Sequence, residues 1–215
     1  MFDLAQLQIE VIKPSSETPI PTANFKGREA EFERIHNHLN PDNMGQKVVV
    51  LWGLPGFGKT QLAIHYKLKF QKCYSCVLWA DASYPGSMRD SYFEIAQNID
   101  KSLTSVREEQ FVSVVRQWLS RATNSKWLLI LDGYDSDYFD IRPFLPGGEC
   151  RHGSLILTTI RSKIADPFNA LSVQIDRIDE NAGTKILLSK MRIKSPEQNG
   201  LFTLKLKKPS TDFVI

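Results

Sequence analysis

Cysteine is scarce: three residues in a chain of 215 exclude a disulfide framework and agree with a reducing compartment. Cys73 and Cys76 form a C-x-x-C pair, and Cys150 with His152 would have to complete a Cys₃His zinc set from far along the chain. C-x-H is not a recognised zinc spacing, so these thiols read as residues near strand ends rather than as ligands. No apolar run approaches membrane-spanning length, and Met1-Phe2-Asp3-Leu4-Ala5 lacks the basic start and apolar core of a secretory signal. Charge of neither sign dominates, the formal net value being +3. The basic excess gathers late, at Lys185, Lys190, Arg192, Lys194, Lys205, Lys207 and Lys208, without the interleaved aromatics of a base-stacking surface. These absences together predict a cytoplasmic protein that engages neither a membrane nor nucleic acid. Internal repeats are missing too, which excludes a solenoid.

What is present is an alternation of strands and helices. Residues 13–24 hold three prolines and read as a linker, since proline denies both helix and central strand. Before it, Leu7, Ile9 and Val11 alternate with polar residues, enough for one strand or a loose tail but too little for a domain. After it, Phe32, Ile35 and Leu39 have helical spacing, ending before Asn40-Pro41. The body predicts strands at 47–52, 76–81, 127–132, 154–159 and 172–176. Helices are expected at 59–71, 87–101, 108–122 and 179–191. Such alternation means a parallel sheet covered on both faces, and the continuous apolar runs 127–131 and 155–157 suit its centre. From Ser195 the pattern dissolves, predicting a mobile or loosely docked tail. The expected organisation is therefore a stub and linker at 1–24, a domain at 25–194, and an irregular segment at 195–215.

The octapeptide Gly53-Leu54-Pro55-Gly56-Phe57-Gly58-Lys59-Thr60 directly follows the apolar run Val48 to Trp52 and precedes a helix. Chemistry sets this spacing: glycines let the backbone wrap a phosphate, successive N–H groups point inward, and the helix offers the positive end of its dipole. Lys59 supplies a charge for the β- and γ-phosphates, and Thr60 a hydroxyl ligand for Mg²⁺. Asp132 ends the apolar strand 127–131, where a carboxylate projects from the carboxyl edge of the sheet, and it is the expected acid for the metal. Many related ATPases place a second acid beside it to orient the attacking water; here that neighbour is Gly133, which predicts slow turnover. Asp135, two residues on, is the other candidate for orienting water. Arg161, after Thr158-Thr159-Ile160, is the candidate γ-phosphate sensor, because its planar fork matches phosphate oxygens. A surface ion pair with Asp166 is the alternative for that guanidinium.

With these motifs in place, residues 20–190 resemble the NB-ARC branch of the STAND-type P-loop ATPases, in the form found in NLR-like proteins of filamentous fungi. Phe25-Lys26-Gly27-Arg28-Glu29 is similar to the family's opening motif, Val77 to Ser83 and Ser91 to Ala96 to its second strand and helix, Trp127 to Asp135 to its Walker B segment, and Gly153 to Thr159 with Arg161 to its sensor strand. The resemblance implies an α/β three-layer P-loop NTPase sandwich with a five-stranded parallel sheet of order 5-1-4-3-2, binding ADP or ATP with Mg²⁺. It implies that Phe25 and Arg28 line the adenine pocket, that Gly53, Pro55, Gly56, Phe57, Gly58, Lys59, Thr60 and Gln61 hold the nucleotide, and that Thr60 and Asp132 hold Mg²⁺. Asp132, Asp135 and Arg161 become the candidate catalytic set. Partners would be other NLR-type proteins.

The family continues into a Gly-Leu-Pro-Leu segment, a helical bundle and a winged helix that clamp ADP from the other side. Here Gly200-Leu201 leads into Phe202-Thr203. The expectation is a nucleotide-dependent switch module, or a remnant of one, truncated after its first subdomain. Two other readings stand beside it: an active P-loop ATPase or small-molecule kinase, and an interaction fragment that no longer uses nucleotide.

Overall fold

Five apolar segments become five parallel strands: β1 (Lys47–Trp52), β2 (Cys76–Asp81), β3 (Trp127–Tyr134), β4 (Ser154–Thr159) and β5 (Leu171–Gln174). Their order across the sheet is β2-β3-β4-β1-β5, the expected 5-1-4-3-2 read from the other edge. The computed structural model describes residues 19–23, 25, 27–41, 45–103, 107–135, 137–147, 150–177 and 183. The expected helix at 179–191, the N-terminal stub and the tail beyond 195 lie outside the described residues. A compact unit ends at Arg177 and a second begins at Ile178. All that follows concerns the first.

Strand alternation explains the three layers. On β1, Val48 and Val50 face one way, into a core shared with Leu129 and Leu131 of β3, Leu155 and Leu157 of β4, and the helices α3 (Pro85–Ile99) and α4 (Glu108–Ser120). Val49 and Leu51 face the other way, into a core with Leu128, Ile130 and Ile156 and the helices α1 (Glu29–Leu39) and α2 (Lys59–Phe70). Both faces of the central strands are thus dry, and every residue of β4 is buried. That is why these strands read as unbroken apolar runs rather than as alternating ones. Buried polar groups find partners in the two large aromatic cases, where the Tyr92 hydroxyl donates to Phe144 O at 2.7 Å and the Trp127 indole to Leu119 O at 2.9 Å, whereas the buried Nε2 of His65 has none.

Element ends follow local chemistry. α3 starts at Pro85, two residues earlier than its apolar spacing predicts, because proline suits the first helical turn and Ser87 Oγ donates back to Tyr84 O at 3.0 Å. At the start of α4 the Gln110 side chain accepts the Arg107 N–H at 3.0 Å. β3 runs two residues past the expected 132, to Tyr134, through an irregularity in its pairing with β4. β5 is shorter than expected and shifted one residue earlier.

Cys73 is exposed, whereas Cys76 on β2 and Cys150 are buried. Burial pushes the Cys76 thiol up to about 12 and raises that of Cys150, whose Sγ–H donates to His152 O at 3.4 Å. Among the described residues, no group of three or more His, Cys, Asp or Glu side chains is arranged to hold a metal, and no helix is long and apolar enough to cross a membrane. An Ellman titration at pH 8 is expected to show one thiol, Cys73, reacting fast and two reacting only on unfolding; Cys73→Ser should remove the fast phase and leave the slow one.

Candidate functional site

The loop between β1 and α2 turns over the carboxyl edge of the sheet. Its first residue must be glycine: Gly53 has φ +151°, and a Cβ there would lie 2.2 Å from Ile175 O, whose own N–H donates to Trp52 O at 2.7 Å. The loop leaves β1 tight against the backbone that follows β5. It ends at Gly58, which caps α2 in a left-handed conformation with no side-chain cap. The N–H groups of the first turn of α2 therefore have no partner within the helix. Lys59 lies over the loop, its ammonium donating to Gly53 O at 2.8 Å and Leu54 O at 3.0 Å. Partial burial lowers the Lys59 pKa, and the Asp132 charge opposes that shift.

Asp132 is where three elements converge. Its Oδ1 accepts from Thr60 Oγ1 of α2 at 2.9 Å and from Thr158 Oγ1 of β4 at 2.5 Å. Thr158 in turn accepts the Gly133 N–H at 2.8 Å, so one hydroxyl orients the acid and stitches the pairing irregularity behind it. The expected metal ligands, Thr60 and Asp132, are thus in contact beside an ammonium and a helix N-terminus. This donor set fits a phosphate with a hard divalent cation: N–H groups and an ammonium for the anion, oxygen ligands for the cation.

The remaining expected residues divide. Arg28 does approach the loop: its Nη2 donates to Phe57 O at 3.2 Å and to Asp176 O, while Nη1 pairs with Glu31 at 2.8 Å. Phe25 stacks on His65 of α2, ring centroids 4.3 Å apart, and meets Phe32 edge-on at 5.7 Å. Gln61 is engaged with the chain itself, accepting from the Thr22 N–H at 2.9 Å and donating to Ile20 O at 3.2 Å, which pins the segment before α1 against α2. Arg161 is bound to acids, but not to Asp166: its Nε pairs with Asp135 at 3.1 Å and its Nη2 with Asp137. Asp135 and Arg161, both candidates for chemistry, therefore neutralise each other at the edge of the site. Two clefts adjoin the sheet ends. One of about 740 Å³ is lined by Trp52, Tyr134, Phe139, Ile160 and Arg161, and one of about 570 Å³ by Lys47, Trp127, Arg151 and His152 near the amino ends of the strands.

Sequence reasoning missed Asp81. It ends β2 in register with Asp132 on β3, and the next N–H, that of Ala82, donates to Asp132 O at 2.7 Å. The signal was available: an apolar strand ending in Asp, the same pattern that singled out Asp132. Burial raises the Asp132 carboxyl above its ordinary value and the nearby Asp81 charge adds to this, outweighing hydrogen bonds from Thr158 and Thr60 and the Lys59 charge. A carboxyl raised in the folded state contributes stability that is full below its unfolded pKa of about 3.9 and is lost as pH rises through the folded value. At neutral pH the ionised Asp132 thus costs the ligand-free fold stability. Asp132→Asn is expected to raise the ligand-free Tm at pH 7 by a few degrees, with the gain over wild type shrinking toward pH 3, as read by differential scanning calorimetry.

The sequence profile of the NB-ARC domain matches residues 28–190. A nucleotide-binding leucine-rich repeat (NLR)-like protein of Hyaloscypha variabilis is 26% identical over 117 residues, a stretch that makes up 53% of this chain and 12% of that protein. Among solved structures, Cdc6p from Pyrobaculum aerophilum superposes with a TM-score of 0.57 at 12% identity, over 83% of this chain and 52% of that one. At that identity the likeness is one of fold.

Proposed function

Since the chain belongs to the NB-ARC domain family and carries its P-loop nucleotide-binding module, we propose that it binds ADP or ATP with Mg²⁺ and works as a nucleotide-dependent signalling switch of the NLR type. The observation that carries this reading is the contact between Thr60 and Asp132 at 2.9 Å beneath the uncapped start of α2, with Lys59 alongside. In this reading, the N–H groups of the loop and of the first turn of α2 hold the phosphates with Lys59. Thr60 and Asp132 hold the cation, which screens phosphate charge. Phe25 and Arg28 close the adenine side, where Arg28 already links the loop to the backbone at Asp176. Adenine preference rests on the family.

Hydrolysis is slow in this reading, because Gly133 brings no carboxylate next to Asp132 and because Asp135 is paired with Arg161. Slow turnover suits a switch, whose output depends on how long each nucleotide state persists and on the differential contacts each state makes. A cytoplasmic setting and NLR-type partners follow from the same family reading, supported by the similarity to the Hyaloscypha protein. Nucleic acid is not a proposed partner, since fold likeness to Cdc6p at 12% identity does not carry its ligands over.

A thermal-shift titration tests the site. At about a hundredfold over Kd, Mg-ADP or Mg-ATP should stabilise the fold by about 2.7 kcal/mol, raising Tm by about 5–10 °C for a domain of this size. GTP should do less. Lys59→Ala is expected to abolish the increment, and an unchanged response in that variant would remove the phosphate-loop assignment.

A further inference from the structure

The place beside Asp132 is closed to a second acid on its own strand. Gly133 has φ +82°, a conformation side chains avoid, and a Cβ there would meet Ser83 Cβ at 3.3 Å and Ser83 Cα at 3.6 Å. What fills that place is the turn from β2 into α3, and this turn carries its own carboxylate, Asp81. Strand pairing and three hydrogen bonds hold it. β2 and β3 pair in parallel with Asp81 opposite Asp132, so the two acids leave neighbouring strand ends about 4.8 Å apart in backbone. The Ala82 N–H continues that ladder to Asp132 O at 2.7 Å. The Asp81 carboxylate is oriented from its own side by the Ser83 N–H, which donates to Oδ1 at 2.9 Å, while the Asp81 N–H donates to Ser91 Oγ of α3 at 3.1 Å. Asp81 is partly exposed at the carboxyl edge of the sheet, the edge where α/β sheets place their ligands. Asp135, by contrast, is neutralised by Arg161.

We propose that Asp81 orients the attacking water for hydrolysis of a nucleoside triphosphate in this chain, supplying from β2 the carboxylate that Gly133 cannot carry. The proposal rests on the nucleotide reading of Lys59, Thr60 and Asp132. In the step it serves, the water oxygen bonds to the γ-phosphorus and the bond from that phosphorus to the bridging oxygen breaks, its electron pair leaving with ADP. The water proton passes to the Asp81 carboxylate and from there to solvent. Division of labour follows from the hydrogen bonds: Asp132 is tied down by two threonine hydroxyls and serves the cation, while Asp81 has its second oxygen available for water. Aspartate is short and held by its own turn, which is consistent with slow rather than absent turnover.

The test compares wild type, Asp81→Asn and Asp81→Glu in single-turnover conversion of Mg-ATP to ADP and phosphate, alongside the Tm increments with Mg-ADP and Mg-ATP. The expected result is that Asp81→Asn keeps both increments while its rate falls about a hundredfold or more, and that Asp81→Glu restores part of the rate. Equal rates in wild type and Asp81→Asn would overturn the proposal, as would a wild type that binds nucleotide but never turns it over. Loss of the increments in Asp81→Asn would also overturn it, because the residue would then be serving binding. A wild type without any nucleotide increment would instead bring down the underlying site assignment, which keeps the two failures apart.

Discussion

One half-buried carboxylate gathers the working edge of this molecule. Asp132 stands at the end of the central strand β3, and hydroxyls from α2 and β4 meet on a single one of its oxygens. Removing a charge from water is costly unless hydrogen bonds replace the lost solvent, and here they come from the helix that follows the phosphate loop and from the neighbouring strand. The position of α2 over the sheet, the irregularity in β3 and the seating of Thr158 are all linked through that oxygen. The arrangement also holds the start of α2 against the sheet.

The cost of the arrangement is electrostatic. Asp81 lies beside Asp132, so two acids share one edge, with Lys59 as the nearest positive charge and that ammonium itself partly desolvated. A divalent cation with its phosphate ligand is the natural counterweight to such a pair. The site therefore sits in tension between stability and function: groups that would serve a ligand weaken the bare fold. The sheet absorbs this because its two cores are dry and continuous, with every central strand packed on both faces.

Around this centre, peripheral contacts define what can reach it. Arg28 ties the loop backbone at Phe57 to the backbone at Asp176, and Gln61 ties the segment at Ile20 and Thr22 to α2. Residues expected to touch a nucleotide thus also serve as braces between chain segments far apart in sequence. Arg161 is engaged with Asp135 and Asp137, so its use as a phosphate sensor requires trading two carboxylates for one phosphate.

The fold was legible in the sequence, and so was the placing of Thr60 and Asp132 at one edge of the sheet. Five apolar runs separated by helical spacing gave the parallel sheet, and Gly53, Gly56 and Gly58 with Lys59 and Thr60 marked the loop between β1 and α2, because both signals are local: a few nearby residues carry the whole physical requirement. Asp132 was legible for the same reason, as a carboxylate at the end of an apolar strand. What only the tertiary structure decided depends on register between segments that are distant in the chain. That β2 pairs with β3 so that Asp81 stands opposite Asp132, that Ser83 occupies the space above Gly133, and that Arg161 finds Asp135 rather than Asp166 are outcomes of strand order and pleat phase, and no local pattern encodes them.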